Sequence, residues 1–219
     1  MGVAKTKTTN DKPDDRSRER SMEQKILETA ERLFLDKGFA LTSTTEIAKE
    51  AGCNQALVHY YFRTKDNLFQ KIFESKVRLF GMTFLSAGRA GDTFEDKVRK
   101  IVESHFDILS ANPKLPLFLI NEVPRNPERF AALRQEIGAL TRELFGSLDE
   151  SLRAEVRKGS VRQITLFDLM YSIASINVFL FISAPIIGHI FQKNDDDMEK
   201  FMRHRKEEAV KTILSRLRP

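Results

Sequence analysis

The sequence predicts an all-α chain: a three-helix domain carrying a helix-turn-helix, followed by a larger helical domain. Apolar residues recur at helical spacing from Ser21 almost to the end, and no alternating strand pattern interrupts them. Residues 43–62 hold the breaks and apolar anchors of two short helices joined at a glycine.

Composition sets the outer bounds. The chain has 219 residues, 41% of them hydrophobic, enough for a sizeable core. At 31% charged it is neither wholly disordered nor collagen-like. A single cysteine, Cys53, excludes a disulfide framework and any multi-cysteine metal site, and points to a reducing cytoplasm. No apolar stretch follows the start Met, so no secretory signal is expected. The net charge of +5 invites nucleic acid or an anionic surface as partner. That excess is spread out: residues 1–71 hold 13 basic and 11 acidic residues, and residues 72–219 hold 23 and 20.

Residues 1–20 carry six basic and four acidic residues with almost no aliphatic content, and are expected to form a disordered basic tail. Met22, Ile26, Leu27, Ala30, Leu33 and Phe34 then mark one stripe of a helix over 22–37, opened by the capping-box spacing of Ser21 and Gln24 and closed by Gly38. Ser43 and Glu46 repeat that spacing and open a short helix to about Glu50, which Gly52 ends. Asn54 is placed to cap a third helix over 55–61. The fourth starts near Lys65 with Leu68, Phe69, Ile72, Phe73, Val77 and Phe80. A fifth carries Phe94, Val98, Ile101, Val102, Phe106 and Leu109 and is bounded by Pro113 and Pro116. After a short apolar run, Leu115–Ile120, come an amphipathic stretch over 127–157 with a stop at Gly159, a very apolar helix over 163–191, and an amphipathic one over 195–217.

Residues 43–62, STTEIAKEAGCNQALVHYYF, carry the functional signal. Ile47, Ala48 and Ala51 form the inner face of the first helix, Gly52 the turn, and Val58 and Phe62 the anchors of the second. The second helix is then free to lie in a major groove. Gln55 suits bidentate reading of adenine, and His59 and Tyr60 can reach bases or phosphates. Thr44, Tyr61 and Lys65 suit phosphate contacts, which fix position rather than sequence.

The stretch ILETAERLFLDKGFALTSTTEIAKEAGCNQALVHYYFRTKDNLF resembles the DNA-binding domain of the TetR family of bacterial transcriptional regulators. The likeness runs from about Ser21 to Phe73. It rests on I-L-x-x-A-x-x-L-F, a G-F before a Thr/Ser pair, I-A-x-x-A-G and Y-F-x-x-K-x-x-L-F, all in register. Cys53, Asn54, Ala56 and His59 depart from the commonest residues; Ala56 and His59 fall where the family varies its base contacts. The resemblance implies a DNA-binding domain over 20–80 and a ligand-binding and dimerisation domain over 81–219, with dimer contacts through 163–217. It further implies a cytoplasmic homodimeric repressor that a small apolar or amphipathic ligand releases from an inverted-repeat operator in double-stranded DNA. His105, Phe118, Asn121, Glu122, Tyr171 and Asn177 are the candidate ligand contacts.

Other function classes find little support. No nucleophile elbow, phosphate loop or metal-ligand spacing occurs, and the four histidines are scattered, so no catalytic residue, metal or cofactor is expected. Residues 169–192 are free of acids, lysine and arginine and long enough to span a bilayer. Their serines, asparagine and proline, and the missing basic flank, favour a buried dimer helix instead, with no membrane partner.

Overall fold

The computed structural model describes residues 13–89, 91–125 and 127–219. Among the described residues all regular structure is helical, in the order α1 (Pro13–Leu41), α2 (Thr44–Ala51), α3 (Gln55–Phe62), α4 (Lys65–Arg89), α5 (Phe94–Ala111), α6 (Leu115–Arg125), α7 (Pro127–Lys158), α8 (Leu166–Ile190) and α9 (Asp195–Leu217). The chain forms two compact units, divided between Ile72 and Phe73.

In the first unit, α1 starts earlier than the periodicity suggested. Of the expected tail, residues 13–20 are helical and residues 1–12 lie outside the described residues. Pro13 is a favourable helix start, because proline's fixed φ suits the first helical position. Ser21 therefore sits inside a helix and does not cap one. The far end matches the expectation: Gly38 leaves helical geometry at φ 81° and ψ 167°. Buried Thr42 closes that end, its hydroxyl donating to the Gly38 carbonyl at 2.9 Å with the Leu33 carbonyl also near, at 3.2 Å. Ile26, Leu33 and Phe34 of α1, Ile47 and Ala51 of α2, Val58 and Phe62 of α3, and Leu68 and Phe69 of α4 are all buried. Phe34 and Phe39 stack, and Phe69 meets both edge-to-face, with centroids 5.1–5.7 Å apart. Burying a side chain of this size contributes roughly 2–3 kcal/mol.

In the second unit, Thr93 and Asp96 form a reciprocal capping box at the start of α5. Thr165 and Asn194 cap α8 and α9 by accepting the N–H groups of Asp168 (3.0 Å) and Asp197 (2.8 Å). Val98, Ile101 and Val102 of α5, Leu148 and Leu152 of α7, Leu169 and Ile173 of α8, and Val210 and Ile213 of α9 form the main core. The apolar run after Lys114 is a full helix, α6. Pro116 falls in its first turn, where a missing N–H costs nothing, and Pro124 in its last.

Helix α8 is long and apolar enough, by length and composition, to cross a membrane. It is not buried all round as its composition suggested. One face (Leu169, Ile173, Asn177, Leu180, Phe181, Ala184) packs inward. The other exposes Phe167, Tyr171, Phe179, Ile186 and Ile190, four of them more than 60% exposed.

Candidate nucleic-acid interface

Local chemistry sets the angle between α2 and α3. Ser43 caps α2, its hydroxyl accepting the N–H of Glu46 at 3.1 Å. At the other end Gly52 takes the left-handed conformation, φ 72° and ψ 35°. The N–H groups of Gly52 and Cys53 return to the carbonyls of Lys49 (3.2 Å) and Ala48 (2.9 Å), so the last carbonyls of α2 are satisfied. Two residues later Asn54 caps α3 with its side-chain oxygen on the N–H of Leu57 at 2.9 Å. Ile47, Ala48, Ala51, Val58 and Phe62 are buried, so the opposite face of α3 points outward.

That outward face carries the predicted residues. Gln55, Ala56, His59 and Tyr60 are exposed, while Thr44 and Tyr61 are half-buried. The Gln55 amide donates one N–H to the Thr44 hydroxyl at 3.0 Å. Its second N–H and its carbonyl remain for a base edge, since a carboxamide has two donors. Tyr60 is 63% exposed and stands edge-on to Tyr61, with centroids 5.2 Å apart. The Nδ1 atom of His59 lies 2.8 Å from the Arg63 carbonyl oxygen.

Lys65 differs from the expectation of a free phosphate ligand. It is half-buried, and its ammonium donates to the carbonyls of Phe39 and Thr42, both at 2.9 Å. It also lies 4.1 Å from the centre of the Phe39 ring, within cation–π range. Two of its three N–H groups thus tie the start of α4 to the α1–α2 connection. No local pattern signals this, because the acceptors are backbone carbonyls 23 and 26 residues away.

Charges are arranged around the same surface. Glu46 and Glu50 of α2 pair with Lys37 and Arg32 of α1. The hydrogen bond from Lys37 holds the Glu46 carboxyl below its usual range, and the bond to Glu50 raises the Arg32 guanidinium. The acids of α2 are therefore neutralised from behind. Lys25, Lys49 and Arg63 are exposed and in no ion pair among the described residues. Lys25 was missed by motif reasoning. Its Nζ reaches the turn, 3.5 Å from where a side chain on Gly52 would begin, a proximity that only the packing of α1 on α2 creates. Cys53 is half-buried and burial pushes its thiol up, in keeping with an apolar slot and not a reactive one.

The candidate ligand residues separate into two groups. His105 and Asn177 are buried and adjacent: the Asn177 amide donates to the Val102 carbonyl and to His105 Nδ1, each at 3.2 Å. Burial pushes the His105 imidazole down to about 4. The Asn177 side-chain oxygen is buried without a hydrogen-bond partner. Phe118 and Glu122 of α6 are also buried. Asn121 and Tyr171 are instead exposed. Tyr171 lies one turn from Phe167, stacked on it at 6.1 Å, off the inward stripe of α8. A separate cleft of about 340 Å³ opens between the end of α5, α8 around Pro185 and the start of α9, lined by Phe181, His189, Met198 and Met202 among others. None of the six candidates lines it.

Comparison with known proteins agrees with this geometry. Residues 26–72 match the family described as bacterial regulatory proteins, tetR family, and residues 95–213 match the tetracyclin repressor-like C-terminal domain. The fatty acid metabolism regulator protein of Bacillus subtilis is 21% identical over 138 residues, 63% of this chain and 70% of that protein. The regulator AcrR of Shigella flexneri is 43% identical over 51 residues, covering 23% of this chain and 24% of its own length. Among solved structures, the ketosteroid transcriptional regulator KstR2 of Mycobacterium tuberculosis superposes with a TM-score of 0.65 at 11% identity, over 87% of this chain and 93% of its own. The fatty acid degradation regulator FadR from Bacillus halodurans does so with 0.57 at 21% identity, over 86% and 94%. These structural likenesses are likenesses of fold. The matched families and relatives are transcriptional regulators and not enzymes. With both parts of the chain matched, the second alone over more than half its length, this protein belongs to the TetR family of bacterial transcriptional regulators.

Proposed function

We infer that this DNA-binding regulator is a cytoplasmic homodimeric repressor, released from an inverted-repeat operator by a small apolar or amphipathic ligand. DNA reading is assigned to residues 20–80, and ligand binding and pairing to residues 81–219. The observation that carries the dimer is the exposed stripe of α8. Phe167, Tyr171, Phe179, Ile186 and Ile190 leave an apolar face that water disfavours and a second copy would cover. A two-fold pair presents two α3 helices to successive faces of the duplex, so its target is an inverted repeat.

On each α3, Gln55, Ala56, His59 and Tyr60 face the bases, with Thr44 and Tyr61 on phosphates. Asn54 contributes through its cap, and Lys65 through the alignment of α4, with one N–H left for the backbone of the DNA. For the effector, the supporting observation is the unpartnered oxygen of Asn177 beside neutral His105. A buried acceptor without a donor is costly, and a ligand hydroxyl or N–H would satisfy it. Two similar proteins are named as regulators of fatty acid metabolism and as a ketosteroid regulator, in keeping with an apolar effector here.

The test is selection of bound sequences from a random DNA pool, followed by a screen for molecules that release the selected operator. Enrichment of a two-fold symmetric site is expected. A single asymmetric half-site, or a monomer in sedimentation, would overturn the dimeric reading. A requirement for detergent to keep the chain in solution would favour α8 as a membrane segment.

A further inference from the structure

We propose that His59 reads DNA as a hydrogen-bond acceptor and so selects, on the strand it contacts, a base with a major-groove amino group: cytosine or adenine. The proposal rests on α3 lying in the major groove. It starts from the backbone after α3. Arg63 has φ 64° and ψ −55°, in the left-handed half of the map that a residue with a Cβ rarely enters. The Thr64 N–H closes on the Phe62 carbonyl at 2.7 Å, so Arg63 is the centre of a γ-turn of the strained hand. The Arg63 N–H still ends α3 by donating to the His59 carbonyl at 2.9 Å.

This turn points the Arg63 carbonyl back at the helix, where it meets His59 Nδ1 at 2.8 Å. A carbonyl oxygen has no hydrogen to give, so Nδ1 carries the proton. A neutral imidazole holds one N–H, which leaves Nε2 with its lone pair. His59 is exposed, and Nε2 has no partner among the described residues. The same bond restrains rotation of the ring, because turning it over would put a carbon where Nδ1 now donates. Gln55 stands one turn earlier on the same face, so the two side chains address neighbouring bases.

In the major groove an acceptor finds donors only on cytosine N4 and adenine N6, while guanine and thymine offer acceptors. A neutral His59 held this way therefore favours the first pair and opposes the second. The strain at Arg63 acquires a purpose in this arrangement: it fixes which nitrogen of His59 is bare.

Two measurements on the full chain test the proposal. Nitrogen NMR of the His59 ring in the free protein at neutral pH should find Nδ1 protonated and Nε2 bare; a protonated Nε2 overturns it. Selection from a random DNA pool should find cytosine or adenine preferred, roughly fivefold for one such bond, at one position of the half-site. His59→Lys, which places a pure donor at this exposed position, should shift that position to guanine or thymine. A parent preference for guanine or thymine there, or identical profiles for parent and variant, overturns this proposal alone. A pool in which no sequence is enriched overturns the DNA-reading assignment beneath it as well.

Discussion

Acid should loosen the second unit through His105, by an amount that the structure sets. The imidazole is 7% exposed, and burial pushes it from 6.5 down to about 4. Its Nδ1 faces the Asn177 amide, so a proton there would set two donors against each other. A histidine with a lowered folded value binds its proton more readily when unfolded. Stability is then complete above the unfolded value of 6.5 and declines as pH falls from there towards about 4. The full loss amounts to about 3 kcal/mol, of which about 2 kcal/mol has gone by about pH 5. The carboxyls held low (Glu46, Asp96, Glu155, Glu208) do not confuse this window. Their contribution is present above their ordinary values of 4.5 and 3.8 and is lost only as pH falls through their lower ones. The assay is urea unfolding at about pH 7 and about pH 5, at one protein concentration, for the parent and for His105→Gln. The parent should lose about 2 kcal/mol more than the variant between the two conditions. Equal losses, or a His105 ring that titrates at its ordinary value by NMR, would show that burial of His105 does not set the acid sensitivity.

The remaining expectations concern the first unit and the pairing face. Lys65→Ala removes a charged donor from two carbonyls and should lower stability by about 2 kcal/mol, read as a shift in the urea midpoint; an unmoved midpoint would show that the clamp carries no weight. Asn54→Ala should cost about 1 kcal/mol through loss of the cap, and Gly52→Ala ~1–2 kcal/mol because alanine must adopt the left-handed conformation. Thermal unfolding checks both, and an alanine at position 52 as stable as the parent would count against the turn. Phe179→Glu alters a side chain 69% exposed within one chain, so a monomer should still fold. Sedimentation should find that monomer, and a persistent tight dimer would move the interface elsewhere.

The local chemistry of the helix-turn-helix was legible because it is encoded within a few residues. Asn54 caps α3 from one position before it, and Gly52 turns the chain because its own φ must be positive. The start of α1 was not legible: an apolar stripe marks where a helix meets a core, and α1 extends to Pro13, well beyond that stripe. Composition likewise said that α8 is apolar without saying which face is covered. In place, Leu169, Ile173 and Asn177 turn inward, and Phe167 and Tyr171 turn out.

Short-range spacing and intrinsic backbone preference were enough to give the helical class, the capped turn and the residues on the exposed face of α3. Tertiary structure alone decided what Lys65 holds, why Lys25 stands beside Gly52, and which of six candidate ligand residues are buried. Those outcomes depend on contacts between residues far apart in the chain, and no local pattern specifies where a lysine's ammonium or an asparagine's oxygen will come to rest.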